Sequence, residues 1–484
     1  MHIHLIGICG TGMGALALLL REAGHTVTGS DANFDPPIGP ALQAASIVCM
    51  RGYKRENLEP RPDLVVVGNV IRRDNPEASH AEALSIERTS MSGALRRMFL
   101  TGRRPLIVAG THGKTTTSAM CAWLLETAGF SPGWFIGGVP KNLPSGANIG
   151  ETRRKLTGSG APLGPFVIEG DEYDAVYWHK QPKFFDYVGV SPQDVAIVTS
   201  VEFDHVDIYP TVEAYERAFS DFMSRIPEAG LLVCSAHDKR LVALASAHAR
   251  CRVVYYGIEH DGDTGVTPTW VASKSHEADG LQYFDVYASG VALGRHALKV
   301  SGEHNVRNAL AAMAACAEGF STPIRDLRSA LASFEGVKRR QEIIGTINGV
   351  TVYDDFAHHP TAVSETLRGM KRRHTRGRLF AAFEPRSATA VRNVHQHGYE
   401  CAFDAADRVL IAPLGRSNIP ESERLRLPEL VTAIGQKATA CESVDAIVDV
   451  VVAEVRSGDV VALLSNGVFG GIHHTLLERL KARG

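Results

Sequence analysis

The chain has 484 residues, 44% of them hydrophobic, with a formal net charge of −2 and a pI near 6.9. That length suits two to four domains of about 100–200 residues each, and the near-neutral charge balance gives no reason to expect a nucleic-acid or membrane partner. The eight cysteines contain no C-x-x-C pair, and most, such as Cys121, Cys234 and Cys316, sit in apolar runs. They suit small core residues of a reduced, cytoplasmic protein better than a disulfide framework or a zinc site. No apolar run approaches the ~18 residues needed to span a bilayer, and the N-terminal MHIHLIGICG lacks a basic leader and a cleavage site.

Residues 1–102 begin with a strand over 2–6 and the glycines Gly7, Gly10, Gly12 and Gly14. A helix over 15–23 and a second strand over 26–29, ending at Ser30-Asp31, complete one βαβ unit. The spacing reads G-x-x-G-x-G-x-G rather than G-x-G-x-x-G. Such a loop can still hold a pyrophosphate on a helix N-terminus, with Asp31 where a Rossmann acid meets a ribose or base. A plain NAD site would carry the same features. A buried strand over 64–67 then ends at Gly68-Asn69.

Residues 103–335 hold the strongest signal. An apolar strand over 106–109 runs into Gly110, Thr111, His112, Gly113, Lys114, Thr115 and Thr116, and an apolar-periodic helix follows. Strand, glycine turn, Lys-Thr and helix is the layout of a phosphate-binding loop, although Val108 stands where G-x-x-x-x-G-K-[ST] has its first glycine. Lys114 is placed for the β- and γ-phosphates and Thr115 for a magnesium ion. A strand over 166–168 leads to Glu169, Asp171, Glu172 and Asp174. At a strand end in such a domain these carboxylates read better as magnesium ligands than as a solvated turn. A strand over 195–199 leads to His205 between Asp204 and Asp207, and a helix over 212–225 follows. His304, Asn305 and Asn308 open an alanine-rich helix over 309–317, either as caps or as ligand contacts. TGSGAPLGP over 157–165 reads as a flexible insertion.

Residues 336–484 form a third α/β unit. Strands over 378–383, 408–412 and 460–464 end in Glu384-Pro385-Arg386-Ser387, Pro413-Leu414-Gly415-Arg416 and Ser465-Asn466-Gly467. Ligands of such sheets lie beyond the carboxyl ends of the strands. Arg386, Arg416 and Asn466 are therefore directed to one crevice, and a last helix from about residue 472 adds an N-terminus that favours anions.

GTHGKTT at 110–116, EGDEYD at 169–174, EFDHVD at 202–207, GEHNVRN at 302–308, GVKRR at 336–340 and YDDFAHHP at 353–360, in this order, resemble the Mur ligase family of cell-wall synthesis. The resemblance implies three α/β domains: a Rossmann-like UDP-sugar binder (1–102), a central P-loop ATPase (103–335) and a C-terminal Rossmann-like peptide-binding domain (336–484). It implies an ATP- and Mg2+-dependent amide ligase that releases ADP and phosphate in the cytoplasm, acting as a monomer or weak homodimer. Gly68-Asn69, Glu172-Tyr173-Asp174, Glu384-Pro385-Arg386-Ser387 and SNGVFGGIH at 465–473 favour the branch that joins UDP-N-acetylmuramate to L-alanyl-γ-D-glutamyl-meso-diaminopimelate in peptidoglycan recycling. The alternative is the UDP-N-acetylmuramate–L-alanine branch, where a Pro-His-Arg loop would replace Glu384-Pro385-Arg386. Branches that add later residues carry a carbamylated lysine about fifteen positions after the motif histidine, where this chain has Ser220.

By the same resemblance, Lys114, Glu169 and His205 are catalytic, and Thr115, Glu169, Glu172 and His205 are metal ligands. The nucleotide falls to residues 110–116, His304, Asn305, Asn308, Arg340 and Asp355. The other substrates fall to Gly10, Gly12, Met13, Asp31, Asn69, His358, Arg386 and Asn466.

Overall fold

The computed structural model describes residues 1–150, 164–416 and 418–483. Residues 157–163 of the expected flexible insertion lie outside the described residues. The chain divides into two compact units. The first comprises Met1–Val201, Glu213–Trp270 and Leu310–Ala330; the second comprises Glu202–Val212, Val271–Ala309 and Leu331–Gly484.

The first unit opens with strands β1 (His2–Ile6), β2 (Thr26–Asp31), β3 (Val48–Arg51), β4 (Leu64–Val67) and β5 (Arg88–Ser90), ordered β3-β2-β1-β4-β5 and all parallel. The order reverses between β1 and β4, so the crevice lies between the glycine loop after β1 and Gly68-Asn69 after β4. The helix Thr11–Glu22 starts earlier than its apolar period suggests. Gly12 and Gly14 are weak helix formers, but they sit under Met91 and Ile38, where an added Cβ would meet Met91 Sδ at 2.7 Å and Ile38 Cγ2 at 2.4 Å.

The same unit continues with β6 (Pro105–Ala109), β7 (Gly133–Phe135), β8 (Ala147–Asn148), β9 (Phe166–Glu169), a hairpin β10 (Asp174–Val176) and β11 (His179–Pro182), then β12 (Val195–Val198), β13 (Leu231–Ser235) and β14 (Arg252–Ile258). Among the described residues the main sheet runs β14-β13-β12-β6-β9-β7-β8. Its central strands β12, β6 and β9 are parallel and almost wholly buried. Burial on both faces explains their unbroken apolar runs. It also sends their carboxyl ends, at Gly110, Gly170 and Thr199, to one edge.

The second unit holds a meander of β15 (Trp270–Ala278), β16 (Leu281–Ala288) and β17 (Val291–Leu298), then β18 (Glu342–Ile347), β19 (Val350–Asp355), β20 (Leu379–Phe383), β21 (Arg408–Ile411), β22 (Ala438–Ala440) and β23 (Val460–Leu464). The last six are ordered β18-β19-β23-β20-β21-β22, with only the hairpin β18–β19 antiparallel. Two apolar clusters cover the two faces of this sheet, one around Phe383 and Tyr399, the other around Phe380, Val461 and Leu476. The loops after β19, β20, β21 and β23 therefore share one edge. Among the described residues no helix is long and apolar enough to cross a membrane.

Candidate active site

In the first unit the loop after β6 passes through two left-handed glycines. Gly110 has φ 124° and Gly113, the N-cap of the helix Lys114–Thr127, has φ 78°. At Gly110 a Cβ would stand 2.2 Å from Thr199 Oγ1 and 2.8 Å from Thr199 N, so only glycine lets the loop lie against the end of β12. That contact is fastened by hydrogen bonds. Thr199 Oγ1 donates to the His112 carbonyl at 2.5 Å, Ser200 Oγ accepts from His112 N–H at 3.1 Å, and the Ser200 carbonyl accepts from Thr111 N–H at 3.0 Å. No side chain caps the helix N-terminus, which leaves its partial positive charge facing the loop.

Lys114 Nζ donates to the Gly110 carbonyl at 2.6 Å and to Glu172 Oε1 at 2.9 Å. Glu172 is fully buried, and the Lys114 side chain is 15% exposed. Burial disfavours the ammonium, but the field of Glu172, and then of Glu169 and Asp171, outweighs it and raises the Lys114 pKa above its ordinary value. The Thr115 hydroxyl donates to Glu169 Oε1 at 2.9 Å, and Gly137 N–H donates to Glu169 Oε2 at 2.7 Å. Lys114, Thr115, Glu169 and Glu172 are therefore brought together as the sequence implied.

The other members of the acidic run go elsewhere. Asp171 binds Lys183 at 2.7 Å and accepts from Tyr173 N–H at 3.1 Å, and Asp174 belongs to β10. Burial opposes the Asp171 carboxylate, yet Lys183 holds its pKa below the ordinary value. Glu172 and Asp171 of the run are thus neutralised by Lys114 and Lys183. Lys183 and Tyr215, which shares a hydrogen bond with Thr111 at 2.9 Å, were not marked by any motif. Ser220 lies buried in the helix Val212–Ser224, its hydroxyl donating to the Glu216 carbonyl at 3.0 Å.

In the N-terminal sheet, Gly10 caps the helix Thr11–Glu22 without a side-chain bond. Asp31 accepts from Cys9 N–H at 2.8 Å, from its neighbour Ala32 N–H at 2.7 Å and from the Tyr53 hydroxyl at 3.3 Å. Its bond to Cys9 N–H ties β2 to the glycine loop. Met13 is buried, and Asn69 is exposed beyond β4.

His205, His304, Asn305, Asn308, Arg340, Asp355, His358, Arg386 and Asn466 all lie in the second unit. His205 sits in the left-handed region at φ 56°, with its N–H on Asp204 Oδ1 at 2.7 Å. Burial opposes the Asp204 carboxylate, but the imidazoles of His205, His358 and His359 and the Thr389 hydroxyl hold its pKa well below the ordinary range. Burial lowers the pKa of His358, against the pull of Asp204. His304 Nδ1 lies 3.6 Å from Glu365. Despite its burial, Glu365 is held at about 2, chiefly by His304. Asn305 Nδ2 donates to the Ser301 carbonyl at 2.7 Å and Asn308 Nδ2 to Asn305 Oδ1 at 3.2 Å. Asp355 is buried, its two oxygens accepting from Gln341 N–H at 2.6 Å and Ala357 N–H at 2.7 Å. It ties the loop after β19 to the segment that holds Arg340, whose guanidinium lies 4.8 Å from the Phe356 ring centroid.

Arg386 follows β20, 3.6 Å from Glu384 and 42% exposed at its side chain. Glu384 also accepts from Ser465 Oγ. Arg339, rather than its neighbour Arg340, clamps the loop after β23: its guanidinium donates to the Ser465 and Gly467 carbonyls at 2.8 and 2.6 Å and to Asp354 at 3.3 Å. Asn466 Oδ1 has no hydrogen-bond partner among the described residues, and Arg416 is exposed.

Comparison with known proteins covers nearly the whole chain. The profile "Mur ligase family, catalytic domain" matches residues 2–102, "Mur ligase middle domain" residues 108–316 and "Mur ligase, glutamate ligase domain" residues 339–467. The UDP-N-acetylmuramate–L-alanyl-γ-D-glutamyl-meso-2,6-diaminoheptandioate ligase of Escherichia coli is 37% identical, over 99% of this chain and 98% of its own. A UDP-N-acetylmuramate–L-alanine ligase of Chloroflexus aggregans is 34% identical, over 96% and 95%. The crystal structure of a murein peptide ligase from Psychrobacter arcticus superposes with a TM-score of 0.71 at 35% identity, covering 99% of each chain. The glycine loop that presents Lys114 and Thr115 to Glu172 and Glu169 lies in a chain matched end to end by these proteins, and the chain belongs to the Mur ligase family of ATP-dependent, amide-forming enzymes.

Proposed function

We propose that this chain joins UDP-N-acetylmuramate to the tripeptide L-alanyl-γ-D-glutamyl-meso-diaminopimelate, with cleavage of ATP to ADP and phosphate, in peptidoglycan recycling. The observation that carries this reading is the phosphate loop with its Lys114–Glu172 and Thr115–Glu169 pairs, on a chain 37% identical end to end to a ligase of that name.

A muramoyl carboxylate oxygen attacks the γ-phosphorus, and ADP leaves. The peptide amine then attacks the acyl carbon, and phosphate leaves as the amine proton is lost. Neither step needs a covalent enzyme intermediate, so the protein supplies position and charge neutralisation. Residues 110–116 cradle the phosphates on backbone N–H groups, with the Lys114 ammonium beside them. Magnesium fits this site, since Thr115 and Glu169 offer two hard oxygens 2.9 Å apart at the helix N-terminus. Bound there, it would neutralise phosphate charge. His205 is assigned to a second cation, and Glu172 to cation binding. His304, Asn305, Asn308, Arg340 and Asp355 are assigned to the nucleotide side, Gly10, Gly12, Met13, Asp31 and Asn69 to the UDP-sugar, and His358, Arg386 and Asn466 to the acceptor side. The reaction belongs in the cytoplasm, where ATP is kept, and all eight cysteines are free, as a reducing compartment requires.

The L-alanine ligase reading is favoured by the 34% identical relative. Against it stand Glu384-Pro385-Arg386 in place of a Pro-His-Arg loop and an exposed guanidinium suited to a carboxylate-rich acceptor. The deciding experiment measures ADP release with UDP-N-acetylmuramate and either free L-alanine or the tripeptide. Faster turnover with L-alanine would overturn the proposal.

A further inference from the structure

The loop after β23 is held more firmly than a surface loop needs. Arg339 bonds two of its carbonyls, and Ser465 Oγ both donates to Glu384 and accepts from Gly467 N–H at 2.9 Å. Across this fixed loop lies the side chain of Arg386. A Cβ on Gly467 would stand 2.4 Å from Arg386 Cδ, 2.5 Å from Nε and 2.9 Å from Cζ. On the other side, a Cβ on Gly415 would stand 2.9 Å from Arg386 Cγ and 3.0 Å from its Cβ. Neither glycine adopts the left-handed conformation, so the backbone at both positions accepts any L-residue. At both positions the three atoms nearest such a Cβ belong to Arg386, its backbone Cα at 3.2 Å being one of them at Gly415.

We infer that Gly467, with Gly415, is a positioning residue for acceptor specificity: the two glycines form a slot that fixes the Arg386 guanidinium for bidentate contact with an acceptor carboxylate. The inference rests on the proposed role of Arg386 in acceptor binding. A guanidinium carries its full advantage over an ammonium only when its fork is held in orientation, and Glu384 faces one end of it at 3.6 Å. The atoms that a methyl at 467 would displace belong to the far part of a flexible, half-exposed side chain. The chain therefore yields by swinging Arg386 away, at little cost to the fold.

The test is Gly467→Ala in the full-length enzyme, assayed with ATP, UDP-N-acetylmuramate and tripeptide, beside Arg386→Ala and the double variant. Gly467→Ala is expected to raise the tripeptide KM on the order of 10- to 100-fold, the worth of hydrogen bonds to a charged group. The KM values for ATP and UDP-N-acetylmuramate and the melting temperature should stay unchanged. In the Arg386→Ala background the same change should add nothing, because its target is gone. A tripeptide KM raised by Arg386→Ala but not by Gly467→Ala overturns the slot and leaves the role of Arg386 standing. Tripeptide kinetics unmoved by either variant overturn both. If Gly467→Ala fails to fold, Gly415→Ala, which meets Arg386 from the other side, must show the same selective KM effect or the inference falls.

Discussion

Glu172→Gln isolates the buried ion pair behind the phosphate loop. Glu172 is fully buried and 2.9 Å from a Lys114 that is 15% exposed, so the substitution leaves an ammonium in a poorly hydrated site. Stranding one member of such a pair costs about 3–5 kcal/mol. Glutamine keeps a carbonyl acceptor for Lys114, which points to the lower end, about 3 kcal/mol. At about 2–4 °C per kcal/mol for a region of 150–250 residues, the corresponding transition should fall by about 6–12 °C. Burial lowers the Lys114 pKa while Glu172 raises it, and the net value lies above 10.5. A raised lysine contributes stability that is complete below 10.5 and is lost only as pH climbs through the folded value. The deficit should therefore be the same at pH 6 and pH 9. Scanning calorimetry of the nucleotide-free, full-length variant measures both. Lys114→Met in the Glu172→Gln background should restore most of the loss, since no charge is then stranded. A deficit under about 2 °C, or one that adds fully in the double variant, would refute the account.

Lys114→Ala should reduce ligation below a few per cent of wild type while UDP-N-acetylmuramate still binds, as calorimetric titration would show; appreciable residual turnover removes the phosphate-loop assignment. Glu169→Gln should weaken ATP binding together with rate, whereas His205→Ala should slow turnover with ATP affinity retained; equal affinity losses in the two variants contradict the two-cation assignment. Arg386→Lys should raise the tripeptide KM and leave the other two KM values alone, and unchanged tripeptide kinetics would take Arg386 out of the acceptor site. Glu365, with an ordinary value of 4.5, is held at about 2, chiefly by His304 against its burial. A depressed carboxylate contributes above its unfolded value, so about 2–3 kcal/mol should be lost as pH falls from 4.5 to 2. Glu365→Gln should flatten the acid limb of the melting curve over that window, and an identical acid limb would remove this pairing.

The elements legible in the sequence were those whose environment repeats along the chain. Residues 64–67 and 460–464 are continuous apolar runs because their strands are covered on both faces. The meander β15–β17 is not marked, because its strands carry many polar residues and no unbroken apolar run. The start of the helix Thr11–Glu22 was missed because local propensity reads Gly12 and Gly14 as loop, while packing under Met91 and Ile38 demands them. In the site, Lys114, Thr115 and Glu169 were readable since their spacing is local to a strand end. The partners that complete the site were not, because pairings such as Asp171 with Lys183 and Arg339 with Gly467 are made by the fold. The motif GVKRR offers two adjacent arginines, and only the left-handed turn at Arg339, φ 59°, decides which one reaches the loop after β23.

Ser220 has a consequence outside the site itself. Its hydroxyl is spent on the Glu216 carbonyl one helical turn back, and no amine stands at that position to take up carbon dioxide. A ligase that builds a carbamate into its centre inherits a second supply line, since its active fraction follows dissolved bicarbonate. At position 220 this chain has no such line, and its turnover in carbon-dioxide-stripped buffer should match that in air-equilibrated buffer.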